Sequence, residues 1–167
     1  AASFLREAAQ VAIQRAASEA TPLADAAAAL RAVIASGSRL EECERILEQR
    51  CGAMETHELA TTIVALGEKG FEGARLGAAC RELASRRTAL AGLPAVGLIA
   101  LAVAATKSST LGACIEIVVD AGVAAVSRWP AADAIRLLLA VTKAKGDSVP
   151  PGLKLALLRE AAHVVAP

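Results

Sequence analysis

The chain has 167 residues, of which 55% are hydrophobic and 2% aromatic, and its net charge is +1. That apolar content excludes a disordered chain, and the even balance of charge excludes a protein held to nucleic acid by a broad basic excess. Phe4, Phe71 and Trp129 are the only aromatic residues, so small and aliphatic side chains, Ala above all, must do the packing.

Ala has the best helix propensity of any residue. No stretch alternates apolar and polar residues over a strand's length. The fold class expected is therefore all-α. In chain order, the first amphipathic stretch is SFLREAAQVAIQRAAS, residues 3–18. Then come PLADAAAALRAVIASG from Pro22, SRLEECERILEQRCGAM, and THELATTIVALGEKG from Thr56. EGARLGAACRELASRR, PAVGLIALAVAATKS from Pro94, and TLGACIEIVVDAGVAAV follow. PAADAIRLLLAVTKAKG from Pro130 and PPGLKLALLREAAHVV complete the chain.

The segments at Pro22, Thr56, Pro94 and Pro130 superimpose at a spacing of roughly 36 residues, the mark of a stacked helical repeat. Their apolar residues recur at the same offsets, such as Ala29, Ile63, Leu101 and Leu137, and so define one helical face. We expect one helical-repeat domain over residues 1–167, a right-handed α-solenoid of antiparallel helix pairs with about nine helices. Pro22, Pro94 and Pro130 fit the first helical turn, where a missing N–H costs nothing. Thr21 and Thr56 fit N-caps, and Gly37, Gly70 and Gly146 fit left-handed C-caps. Residues 147–152 read as a loop. In SRLEECERILEQRCGAM, Leu40, Cys43, Ile46 and Leu47 should face inward and Glu41, Glu44, Arg45 and Glu48 outward.

Residues 88–106 carry no charge and approach the length of a membrane span. Gly92, Pro94 and Gly97 interrupt them, and they fall in register with three other repeat helices that bear charges. A helix buried between repeats is the preferred reading over a membrane segment. Cys43, Cys51, Cys80 and Cys114 form no CxxC pair and are expected as buried free thiols. His57 and His163 have no local partner at metal-ligand spacing. No phosphate-binding, dinucleotide or nucleophile-elbow motif occurs, so no enzyme, cofactor or metal is expected.

ETHELATTIVALGEKGF and PAADAIRLLLAVTKAKG resemble the first helix of heptatricopeptide and octotricopeptide repeats. SGSRLEECERILEQ is similar to the turn and second helix of a pentatricopeptide repeat. The resemblance spans most of residues 20–165 as a pattern of Ala, Leu, Lys and Gly. It implies an extended RNA- or protein-binding scaffold of mitochondria or plastids, within a ribonucleoprotein assembly such as a mitochondrial ribosome or an RNA-processing complex. The places that would read a base in such repeats match Ala27 and Ala60, which have no polar group to do so.

Lys69, Lys107 and Lys143 each stand at the same offset from a repeat start, with Lys145 close by. Stacking would align them as a ladder along an RNA phosphate backbone. The plainer reading, and the preferred one, is a cation placed at a helix C-terminus by the helix dipole. Arg86 and Arg87, close to Arg81, pose the same choice. Trp129, directly before Pro130, is either inter-repeat packing or the anchor for a partner. The function expected is a non-catalytic scaffold that contacts RNA backbone and neighbouring proteins. The alternative is an armadillo- or HEAT-like protein adaptor without RNA. An exposed lysine edge would favour the first, and an exposed apolar strip the second.

Overall fold

The computed structural model describes residues 2–112, 114–144 and 149–166. These residues form eleven α-helices and one 3₁₀ turn, and no strand occurs among them. The helices are α1 (Ala2–Ala17), α2 (Leu23–Ala35), α3 (Leu40–Arg50), α4 (Thr56–Glu68), α5 (Ala74–Ala84), α6 (Arg87–Ala91), α7 (Ala95–Ala105), α8 (Ser109–Gly112), α9 (Ile115–Ala125), α10 (Ala131–Lys143) and α11 (Pro151–Val165). The two that exceed the expected nine are the short ones, α6 with five residues and α8 with four. α8 takes the start of the segment TLGACIEIVVDAGVAAV, and α6 falls mostly between two expected helices.

Pro22, Pro94 and Pro130 sit one position earlier than expected, at the N-caps of α2, α7 and α10. Their φ values of −53°, −56° and −58° suit that place, and their carbonyls accept the first helical bonds, from Ala26, Gly97 and Ala134. Pro151 is the proline that occupies a first helical turn, so of the stretch read as a loop Pro151 and Gly152 begin α11, Val149 and Pro150 precede it, and residues 147 and 148 lie outside the described residues. Neither Thr21 nor Thr56 caps a helix, because Pro22 and Glu55 take the N-cap positions. Gly37 and Gly70 end α2 and α4 with φ of +73° and +67°. After Gly70, the Phe71 N–H reaches the Leu66 carbonyl at 3.3 Å, which closes a Schellman turn. Gly146 lies outside the described residues.

Each helix that opens a repeat touches the next: α2 contacts α4, α4 contacts α7, and α7 contacts α10. The intervening helices are linked in parallel. α3 meets α5, α5 meets α6 and α8, α6 meets α9, and α9 meets α11. α1 packs on α2 and, more lightly, on α3. Between the two series runs the apolar core, including Leu30, Ile46, Leu47, Ile63, Leu76, Leu98 and Leu137, all fully buried. Burying each such side chain contributes about 1.5–3 kcal/mol. α9 approaches closely enough that a Cβ on Gly122 would fall 2.8 Å from Leu137 and 3.3 Å from Leu157.

The uncharged stretch 88–106 is broken into α6, a turn at Leu93 and Pro94, and α7. Leu98 and Leu101 are buried, and α7 lies between α4 and α10 with α8 and α9 also against it. Neighbours on several sides explain why it lacks charge. No helix among the described residues is long and apolar enough to cross a membrane.

Candidate partner-binding surface

Several charged side chains are spent inside the fold. Arg50, the last residue of α3, donates to the carbonyls of Ala16 (2.8 Å), Ser18 (3.1 Å) and Thr21 (2.9 Å), which form the turn between α1 and α2. Arg86, one repeat later, donates to the carbonyls of Met54 (2.5 Å), Cys51 (3.0 Å) and Gly52 (3.3 Å) in the turn between α3 and α4. Glu82 holds its guanidinium from the preceding helical turn at 2.9 Å. A planar fork of donors suits this task because helix ends and turns leave several carbonyls without partners. Arg86 is therefore committed to its neighbour repeat and stands away from any surface ladder. Arg87 is exposed, with its nearest acid, Asp120, at 3.8 Å.

The acidic face expected on α3 is only partly solvated. Glu41 and Glu48 are exposed, but Glu44 is 5% exposed. One of its carboxylate oxygens accepts from the Arg75 N–H at 2.9 Å, at the start of α5. The other, Oε2, is buried without a hydrogen-bond partner. The helix N-terminus attracts a carboxylate, while burial pushes the Glu44 pKa above its usual range. Gly73, the N-cap of α5, has ordinary extended angles but no room: a Cβ there would fall 1.5 Å from Glu44 Oε2. Glu72 does a similar service one repeat on, accepting from the N–H and hydroxyl of Ser109 at the start of α8. Caps in this chain are thus lent across repeats, a pattern invisible to a search for Ser, Thr, Asp or Asn at local N-caps.

The lysines divide. Lys69 and Lys107 line one cleft of about 300 Å³ together with Arg31, Ile34, Ala35, Ala65 and Glu68. Lys69 donates from Nζ to the Ala35 carbonyl at 3.1 Å, so it serves the C-terminus of α2 rather than its own helix. Arg31 pairs with Glu58 at 2.6 Å. Lys143 ends α10, exposed and outside that cleft. Lys145 lies outside the described residues. Trp129 is partly buried against the core. Ala27 and Ala60 are buried.

All four cysteines are free and buried. Burial, reinforced by the charge of Glu42, pushes the Cys43 thiol to about 11, so it is not a thiolate near neutrality. The neighbouring Cys114 thiol, together with burial, holds Cys80 in its thiol form. His57 and His163 are exposed, and no group of side chains fit to hold a metal ion occurs among the described residues.

What is left exposed and apolar falls mostly on the first helix and the last two. Phe4, Leu5 and Val11 lie on α1, Ile135 and Leu139 on α10, and Leu155, Leu158 and Val165 on α11. Among the described residues, Val96 is the sole large hydrophobic with such exposure elsewhere. On α11 the spacing of three and seven residues sets Leu155, Leu158 and Val165 on one face, and Ile135 and Leu139 share a face of α10. No family model, curated protein or solved structure matches this chain.

Proposed function

We propose that the chain is a non-catalytic helical-repeat scaffold, a right-handed α-solenoid of antiparallel helix pairs that works by holding other proteins of a large assembly. The observation that carries this reading is the pair of bare apolar stripes on α10 and α11, with Leu139 and Leu158 each 53% exposed. Large exposed apolar patches mark interaction surfaces. The succession of contacts from α2 through α4 and α7 to α10 supports the solenoid.

A second reading, an RNA contact within an organellar ribonucleoprotein, rests on the cleft flanked by Lys69 and Lys107. It agrees with the likeness to organellar helical repeats. The internal duties of Lys69, Arg31 and Arg86 weaken it, because those cations already have partners.

One experiment separates the two. The tagged chain is expressed in its own cells and its sedimentation compared with that of a Leu139→Glu/Leu158→Glu variant, with and without ribonuclease. A fast-sedimenting assembly that survives ribonuclease and loses the variant supports the protein scaffold. An assembly that ribonuclease dissolves, and that a Lys69→Glu/Lys107→Glu variant fails to join, supports the RNA reading. Slow sedimentation as a free chain overturns both.

A further inference from the structure

Where α3 meets the start of α5, the fold leaves a cleft of about 500 Å³ lined by Glu41, Glu44, Phe71, Glu72, Gly73 and Arg75. Glu44 is 5% exposed. One of its oxygens accepts from the Arg75 N–H, and Oε2 has no partner. Among the described residues, Oε2 is the one buried side-chain oxygen or nitrogen so placed. It lies where a Cβ on Gly73 would stand, and Glu44 and Gly73 both belong to the cleft wall. Buried polar groups nearly always find partners, and a buried carboxylate without one carries the cost of its lost hydration.

The nearby cations are engaged elsewhere. Arg75 turns its guanidinium to Glu48, with Nε 3.4 Å from the carboxylate. Arg39 pairs with Glu42 at 3.4 Å. Glu41 is exposed and forms no ion pair among the described residues. Burial raises the Glu44 pKa, the Arg75 N–H and charge lower it, and Glu48 and Glu41 raise it further. A further cation would relieve that field.

The donor set narrows the choice of cation. No group of side chains fit to hold a metal ion occurs among the described residues. Glu72 is already bonded to Ser109. What remains is Glu41 and Glu44, three residues apart and so on one face of α3, with Phe71 beside them. A guanidinium suits this wall better than an ammonium. Its planar fork of donors serves two carboxylates, and its face packs on an aromatic ring.

We propose that this cleft docks an arginine side chain of a protein partner, whose guanidinium meets the unpartnered Glu44 oxygen and the Glu41 carboxylate beside Phe71. Docking includes a turn of the Glu44 carboxylate that brings Oε2 from Gly73 into the cleft. Complementary charge of this kind selects the partner and fixes its register. The proposal rests on the scaffold reading and deepens it by naming the chemistry of one partner contact.

The test is an NMR titration of the full chain with the acetylated, amidated tripeptide Ala-Arg-Ala, followed at the Gly73 and Arg75 amides and the Glu44 carboxyl carbon. Saturable shifts are expected at all three, with the neutral citrulline analogue about tenfold weaker or more. Glu44→Gln keeps an acceptor for the Arg75 N–H, so it should stay helical by circular dichroism yet bind the arginine peptide several-fold more weakly, as should Glu41→Gln. No saturable shift up to the solubility of the peptide overturns the inference. So does equal binding of the citrulline analogue, or binding unchanged in Glu44→Gln. An equal response to Ala-Lys-Ala overturns the choice of arginine. The scaffold reading fails separately, when Leu139→Glu/Leu158→Glu remains in the cellular assembly.

Discussion

At the scale of single residues, Glu44 and Arg86 show how far burial and partners can depart from side-chain type. Glu44 is an acid in an acidic helix, yet it is buried beneath the start of α5 with one oxygen unpartnered. Its pKa is raised above the usual 4.5, chiefly because burial disfavours the charge. The folded state thus binds the proton more tightly than the unfolded chain. The resulting stabilisation is complete below the unfolded value and is lost as pH rises through the folded one. Glu44→Gln keeps an acceptor for the Arg75 N–H and removes the titration. Across that window the urea midpoint of wild type should therefore fall relative to Glu44→Gln, and a constant difference between them would count against the assignment. Arg86 has the opposite character, a cation fully supplied with carbonyl partners. Arg86→Ala should cost about 1.5–3 kcal/mol, the range for hydrogen bonds to charged groups. Arg86→Lys should recover little of it, because a single ammonium cannot span the carbonyls of Cys51 and Met54. Equilibrium unfolding in urea reads both variants.

At the scale of elements, helix ends explain the strangest feature of the charge pattern. α5 begins at an N-cap glycine with no side chain to offer, and the cap arrives from Glu44 on α3. Gly73→Ala would force that carboxylate aside and should cost about 1 kcal/mol, the usual worth of an N-cap. A double-mutant cycle with Glu44→Ala isolates the shared part: if the two losses simply add, Gly73 does not make room for the cap. The same logic separates the visible from the hidden in the sequence. Left-handed caps at Gly37 and Gly70 follow from residue type and position alone, because few residues other than glycine adopt that conformation readily. The cap on α5 could not be read that way, since Glu44 and Arg75 are about one repeat apart and meet only through packing. The separate helices α6 and α8 were likewise hidden, because five and four residues are too short to show a helical period of their own.

At the scale of the whole molecule, each helix mainly meets near neighbours in the series, so stability should be graded along it. Native-state hydrogen exchange should show α1 and α11 opening at the lowest free energy, and α4 and α7, covered on both sides, at the highest. Uniform protection from end to end would show one indivisible core instead. The exposed apolar stripes belong to this scale too. Leu139 is as apolar as Leu137 two residues earlier, yet Leu137 is buried and Leu139 stands on an exposed face of the same helix.

The all-helical class, the helix starts at or beside Pro22, Thr56, Pro94 and Pro130, and the burial of the four cysteines follow from residue type and from the spacing of apolar residues by three and four. These are local or periodic properties, and a helix expresses them whatever surrounds it. Which face of each helix is covered, and by what, depends on residues a repeat or more away. The tertiary structure alone therefore turned Glu44 inward, set Arg50 and Arg86 on the carbonyls of neighbouring turns, tied Lys69 to the end of α2, and left Leu139 and Leu158 in the open. Burial and hydrogen bonding are sums over neighbours in space, and the order of residues along the chain states them only where those neighbours are also close in sequence.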